Sequence, residues 1–510
     1  MTDALIALIP IAVVLVLMLA ASWPAVRAGV AGLIVALVLA VFLFPFESVP
    51  GGIVVGVAGA FAEAVFTALT ILWIILPALA IYRLQTETGA VDALRSGLSE
   101  LSSDPRLTAL VVAWFFALLL EGAAGFGTSA ALAAPFLVAI GMGPVAAVTA
   151  AMIGHILGVT FGAVGAPVVP MVVASGLEPL EISSTMAVQA SVVGWVIPVI
   201  VAILIARAYP DQSPQSLPTR MALGVGTAVA FLVPYLAIAT FVGPELPTLA
   251  GAIVGGAVVI VLIRRWSRGH PADITDLGSA AGMSLARAMA PYLILVALVL
   301  VTRLVPPLRE ALQGIDLEWT AADGTFSGSF QPFYHPGTML FVSFVLGALV
   351  QRAKGGQLRE SLVGAGRTLI PVGAALMAML GLARVMVHAG MVDAIAAGAA
   401  DALGGAWPLL APSVGALGTF VTGSATASNV LFSELQVATA EAIGADVATM
   451  LGAQGLGAAL GNAIAPHNLI AAAAIVALAG RENEILRRTL PVVIPLVIAA
   501  GAVVLALTNL

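Results

Sequence analysis

Glu121-Gly-Ala-Ala-Gly-Phe-Gly-Thr-Ser129 and Thr422-Gly-Ser-Ala-Thr-Ala-Ser-Asn429 are two breaks, rich in small and hydroxyl-bearing residues, in otherwise apolar sequence. Their offset of about 300 residues also superposes Gly89-Ala-Val-Asp-Ala93 on Gly390-Met-Val-Asp-Ala394. Downstream, Leu157-Gly158, Gly162 and Ala166-Pro167 recur as Leu456-Gly457, Gly461 and Ala465-Pro466. Interruptions of hydrophobic segments at corresponding places in two halves mark the binding region of secondary transporters.

Composition removes most other classes. Of 510 residues, 61% are hydrophobic and 9% charged, with a mean hydropathy of +1.11, more apolar surface than a soluble core could bury. The net charge of −6 is small, and the 20 Lys and Arg residues lie between apolar runs, so nucleic acid is not an expected partner. With no cysteine there is no disulfide or thiolate metal site. Met1-Thr-Asp-Ala-Leu5 lacks the basic start of a signal peptide, so the first apolar run is expected to stay as a membrane helix.

At roughly 20 apolar residues per crossing, spans are expected near 4–21, 28–44, 66–84, 107–120, 144–164, 187–206, 221–240, 247–263, 284–303, 337–350, 368–387, 407–421, 446–462, 466–480 and 490–508. Segments 126–140 and 430–443 run straight out of the two breaks, which therefore read as tips of re-entrant hairpins; irregular backbone survives at membrane depth only inside protein or along a polar cavity. Arg27, Arg83, Arg95, Arg106, Arg207, Arg220, Arg264, Arg352 and Arg487 can all be cytoplasmic if both termini are outside, leaving loop 305–336 outward. Segment 89–101, with Arg95, is then inside, and its copy 390–404, without Lys or Arg, outside. The expected fold is an all-α polytopic membrane protein, an inverted-repeat secondary transporter with two re-entrant hairpins and helices broken at the midplane. Its expected parts are N-terminal helices 1–64, repeat 1 at 65–209 with the break at 121–129, connecting helices 210–364, and repeat 2 at 365–510 with the break at 422–429.

A broken helix exposes main-chain N–H groups backed by the positive end of its dipole, a place that prefers a small anion such as a carboxylate. Gly125, Phe126, Gly127, Thr128 and Ser129 on one tip, and Gly423, Ser424, Thr426, Ser428 and Asn429 on the other, are the expected substrate-binding residues. The plainer reading of such small residues is close helix packing. Glu121, His155, Gln454 and His467 are the candidate coupling residues: an intramembrane carboxyl is costly without a role, and histidine titrates near neutral pH. Capping or hydrogen-bonded stapling of helices is the alternative for each. Glu63 is expected at the interface, Glu434 is a weaker coupling candidate, Arg384 and His388 are expected to snorkel from a span end, and Arg287 and Arg303 to anchor one span.

Glu121-Gly-Ala-Ala-Gly-Phe-Gly-Thr128, Phe161-Gly-Ala-Val-Gly165, Tyr334-His-Pro-Gly-Thr338, Ser428-Asn429, Leu435-Gln-Val-Ala-Thr-Ala440 and Gly480-Arg-Glu-Asn-Glu-Ile-Leu-Arg-Arg-Thr489 resemble, in order along nearly the whole chain, the signature segments of the bacterial lactate permease family. The resemblance implies a cytoplasmic-membrane carrier importing L-lactate, D-lactate or glycolate with protons. Four positions depart from the family pattern: Ala425 stands in place of an acid, Asn462 in place of a base, His155 in place of Asn and His467 in place of Gln. Losing both charges together avoids an unpaired buried ion, and the two histidines offer another route for protons. A sodium-coupled carrier of another small carboxylate is the runner-up. A membrane-embedded enzyme lacks a zinc, diphosphate or nucleophile-elbow motif here, and a channel would need a continuous polar lining. No cofactor or metal is expected, the partners are the substrate and the lipid bilayer, and the sequence does not fix an oligomeric state.

Overall fold

A computed structural model describes residues 2–21, 23–47, 49–99, 101–102, 104–125, 128–209, 212, 216–266, 283–478 and 480–508, with Leu19, Ser99 and Thr128 described by their backbone alone. Twelve helical stretches among the described residues are long and apolar enough to cross a membrane. The chain opens with α1 (Thr2–Ala7) and α2 (Ile9–Leu19), so the first expected span is in two pieces; Pro10 at the start of α2 has no N–H with which to continue α1. Then come α3 (Ala25–Phe42) and α4 (Gly52–Glu87), whose 36 residues far exceed the expected 66–84 and place Glu63 inside the helix.

The amphipathic α5 (Ala90–Ser99) leads to α6 (Pro105–Val111), capped by Asp104, a π-helical turn (Val112–Phe116) and α7 (Ala117–Ala123), which stops at the first break. Beyond it lie α8 (Thr128–Ala139) and α9 (Pro144–Gly154). The expected span 144–164 is not one helix: it turns at His155 into α10 (Ile156–Val159) and then α11 (Gly162–Gly165), where Ala163 (φ 44°), Val164 (φ 54°) and Gly165 (φ 79°) are left-handed. α12 (Val169–Ser175), α13 (Pro179–Gly194) and α14 (Ile197–Ala208) close this half.

α15 (Leu217–Phe241), α16 (Pro247–Trp266) and α17 (Leu285–Leu304) form the middle of the chain. The expected outward loop is structured: α18 (Pro306–Gln313) precedes an antiparallel hairpin of β1 (Leu317–Ala321) and β2 (Phe326–Phe330), registered Leu317 to Phe330 and Ala321 to Phe326. After α19 (Pro336–Gln351) come α20 (Gly355–His388), α21 (Met391–Leu403), α22 (Trp407–Thr422), the second break, α23 (Ala425–Ile443), α24 (Val447–Asn462), α25 (Pro466–Ile475) and α26 (Glu482–Thr508).

The two longest helices among the described residues, α4 and α20, pack side by side and antiparallel: Arg83 near the end of α4 bonds Thr368 in the first half of α20, while Glu63 meets His388 at its end. α3 lies against α20, and α19 against α4. Lipid offers no hydrophobic drive for helix association, so tight packing of small residues supplies it. The α22–α24 seam is the clearest case. A Cβ added to Gly457 would fall 1.9 Å from the Pro412 carbonyl oxygen, one at Gly461 2.3 Å from that of Ala416, and one at Gly415 2.2 Å from that of Gln454.

Candidate substrate and coupling site

The first break is built around Glu121, in the last turn of α7 and 4% exposed. Ser129, in the first turn of α8, donates its hydroxyl to Glu121 Oε2 at 2.8 Å. The other carboxylate oxygen lies over Gly162, where an added Cβ would stand 2.8 Å from it. Gly125, at φ 61°, meets Ala163, whose Cβ would be 3.0 Å from a Cβ at Gly125. Gly125 therefore rests on the left-handed turn of α11, whose non-glycine residues each cost about 1–3 kcal/mol of backbone strain. The neighbouring loop holds this turn: a Cβ at Gly165 would be 2.7 Å from the Pro244 carbonyl oxygen, and Thr248 donates to the carbonyl of Gly158 at 3.0 Å. Phe126, Gly127 and the Thr128 side chain lie outside the described residues.

The second break is neutral. Gly423 (φ 71°) ends α22, and Ser424 caps α23 by accepting the Ala427 N–H at 3.3 Å. Gln454 of α24 reaches Ser428 Oγ at 3.2 Å and Asn429 Oδ1 at 3.4 Å with its amide nitrogen. Ser428 donates to the Gly415 carbonyl at 2.9 Å, and Asn429 donates to the Pro167 carbonyl at 2.8 Å, tying the second break to the first half of the chain. Gln436 donates to Gln454 Oε1 at 3.1 Å and accepts from the Trp407 indole at 3.0 Å, completing a buried chain of amides. Thr426, in the first turn of α23, is 5% exposed. His467 packs on the tip, 3.2 Å from a Cβ placed at Gly423, with its ring open to the surface.

His155 joins the halves a second time. Its Nδ1 lies 2.8 Å from the Ala151 carbonyl oxygen, which requires a proton on that nitrogen, and its Nε2 lies 3.0 Å from Asn462 Oδ1. A neutral ring accepts from the Asn462 amide NH2 and a protonated ring donates to its oxygen, so turning one amide accommodates either charge state. The structure thus groups Glu121 with Ser129, Gln454 with Ser428 and Asn429, and His155 with Asn462. His155 and Gln454, matched in the repeat, bond to different partners.

A family model for L-lactate permease matches residues 3–510. The chain belongs to the L-lactate permease family. The L-lactate permease of Streptococcus iniae is 29% identical over 442 residues, covering 86% of this chain and 90% of that one. Glycolate permease GlcA of Escherichia coli is 27% identical over 537 residues, covering 96% and 92%. Among solved structures, MtrF of Neisseria gonorrhoeae, described as illuminating a class of antimetabolite efflux pumps, has a similar fold, with a TM-score of 0.51 at 15% identity over 96% of both chains. Like the other members of the L-lactate permease family, the chain is a multi-pass cell-membrane transporter and not an enzyme.

In this family member, a further polar group went unread in the sequence. Glu63 is 9% exposed rather than interfacial, and its Oε2 accepts from His388 Nε2 at 2.8 Å. Arg384 does not snorkel either: its Nη2 is 2.5 Å from Glu434 Oε1 and its Nη1 3.9 Å from Glu63 Oε2. Arg303, expected as an anchor, is buried on Glu245 at 2.7 Å with its guanidinium 3.5 Å over the Tyr334 ring, whereas Arg287 binds the Gln351 carbonyl at the end of α19. The signal for the first group was present: Arg384 and His388 are spaced i, i+4, one helix face, in a chain with few charges.

Proposed function

We propose that this chain imports L-lactate, and with it D-lactate and glycolate, by proton symport. The observation that carries this reading is the match over residues 3–510 together with relatives named for both L-lactate and glycolate at 29% and 27% identity. These acids share a carboxylate beside a hydroxyl and differ by a methyl group, so the shared pair is what a site for both has to read. In our reading the starts of α8 and α23 receive the carboxylate on main-chain N–H groups. Ser129, Ser428 and Asn429 take the hydroxyl, with substrate replacing Gln454 as the partner of the last two. The breaks are then re-entrant tips of two inverted repeats, which the matching order α4, α5, α7, break, α8 and α20, α21, α22, break, α23 supports.

Glu121 and His155 carry the coupled proton in this scheme. A buried carboxyl with one hydroxyl donor, and an imidazole whose amide partner can turn, both tolerate a change of protonation with little rearrangement. The test is L-lactate uptake into proteoliposomes under a proton or a sodium gradient imposed separately, for the wild type and for Glu121→Gln and His155→Gln. Accumulation is expected with protons alone, falling at least about tenfold in the variants while exchange persists. Accumulation driven by sodium alone removes proton symport, and unchanged accumulation in both variants removes these two residues from coupling.

A further inference from the structure

Glu63, Arg384, His388 and Glu434 come from three helices, α4, α20 and α23, and meet inside the protein. Their side chains are 11–14% exposed, low for four ionisable groups in apolar helices. Two carboxylates face one permanent cation, so with a neutral imidazole the group holds one uncompensated negative charge, and a single added proton balances it. His388 is the last residue of the 34-residue α20, where the negative end of the helix dipole favours a cation. Its Nε2 faces the Glu63 carboxylate and therefore carries a hydrogen already, so the added proton goes to Nδ1.

Among the described residues, Glu63 is the charged group hydrogen-bonded to the imidazole. The β-hairpin covers it with the Phe326 ring, 4.5 Å between centroids, and donates the Ser327 N–H to Glu63 Oε1 at 3.1 Å. On α3, packed along α20, the ionisable residue is Arg27, exposed near Gly29, which packs on Ala378 well before His388. On α21, Asp393 and Asp401 are exposed.

We propose that His388 is a proton-binding site of this transporter, distinct from Glu121 and His155, whose proton decides how firmly α23 is tied to α4 and α20. With His388 protonated, Glu63 has its own cation and Arg384 is held mainly by Glu434, in line with its 2.5 Å contact to Glu434 against 3.9 Å to Glu63. When the proton leaves Nδ1, Glu63 draws Arg384 across the 3.9 Å gap that separates them, and Glu434 loses its partner. Glu434 lies five residues beyond Asn429 on the same helix, about 7.5 Å at 1.5 Å per residue, so freeing it frees the element bearing the second break. The link to transport rests on the reading of Ser428 and Asn429 as substrate-binding; the proton site does not.

Two measurements separate these levels. The chain has five histidines, so 15N-imidazole NMR in lipid without substrate can follow His388 from pH 8 to 5, its signal assigned by its loss in His388→Gln. The signal is expected to change from the neutral to the doubly protonated form and to shift its midpoint in Glu434→Gln; a ring that keeps one state throughout overturns the proton site, whether or not lactate is carried. In proteoliposomes, His388→Gln and Glu434→Gln are expected to keep lactate exchange within about twofold and lose at least about tenfold in pH-gradient-driven accumulation. Wild-type accumulation in both variants overturns the link to transport, and exchange lost in step with accumulation overturns it in favour of a purely structural role. If the wild type carries no lactate, the substrate reading fails while the NMR result still decides the proton site.

Discussion

The two breaks have similar sequence and opposite polarity. The first places an ionisable carboxyl against a left-handed turn that a neighbouring loop presses into place. In the second half the counterpart of that turn, Asn462-Ala463-Ile464, has no left-handed residue, and the second break is surrounded by hydroxyls and amides. One can change charge, while the other can only exchange hydrogen-bond partners. The proton symport proposed above needs both capacities, and they sit in different halves of the chain.

The largest expected effect falls on the neutral break. Ser428→Ala and Asn429→Ala each leave Gln454 with a missing partner in a buried site, worth about 1–3 kcal/mol, and remove a proposed substrate contact. Uptake of labelled L-lactate is expected to drop at least about a hundredfold in the double variant, with folding checked by size-exclusion profile; wild-type uptake in both single variants would leave the second break without a binding role.

A smaller effect tests backbone strain. Ala163→Gly relieves a left-handed alanine and is expected to stabilise the protein by about 1 kcal/mol, whereas Ala463→Gly, in the corresponding turn at φ −71°, costs about 1 kcal/mol of added chain entropy. Thermal unfolding in lipid should move in opposite directions for the two, and shifts of the same sign would show that the breaks are equally relaxed.

The smallest effect concerns the segment that leads from the β-hairpin into α19. His335 caps α19 by accepting the Gly337 N–H on Nδ1 at 3.3 Å, and burial, with help from the Arg303 cation, pushes its imidazole down from 6.5 to about 4. The folded state then binds fewer protons than the unfolded one between those values. Its stabilising contribution is complete above about pH 6.5 and is lost as pH falls toward 4. Unfolding temperature should fall over that window in the wild type and less so in His335→Asn; an identical slope would take His335 out of the effect.

The membrane class, the two breaks and the family were legible because each rests on long apolar runs or on residues adjacent in sequence. The partners of the site residues were not. Asn429 bonds Pro167 across 262 positions and His155 bonds Asn462 across 307, distances along the chain that no local pattern encodes. The Glu63 group was misplaced for a related reason: a helix of 36 residues was read as a span beginning at 66, which put Glu63 outside it and left His388 and Arg384 without an acidic partner. The β-hairpin was hidden within a polar stretch that looks like any loop until Phe326 is seen to pack on His388.

The glycine seam between α22 and α24 has a bearing on motion. With the Pro412, Ala416 and Gln454 carbonyls pressed against Gly457, Gly461 and Gly415, the two backbones interlock without side chains between them that could change rotamer. Sliding one past the other would drive carbonyl oxygens into Cα atoms, so the pair travels as a single rigid body. Displacement in a transport cycle then falls to hinges beside it: the glycine turn at Gly423 and the salt-bridged contact of α23 with α20.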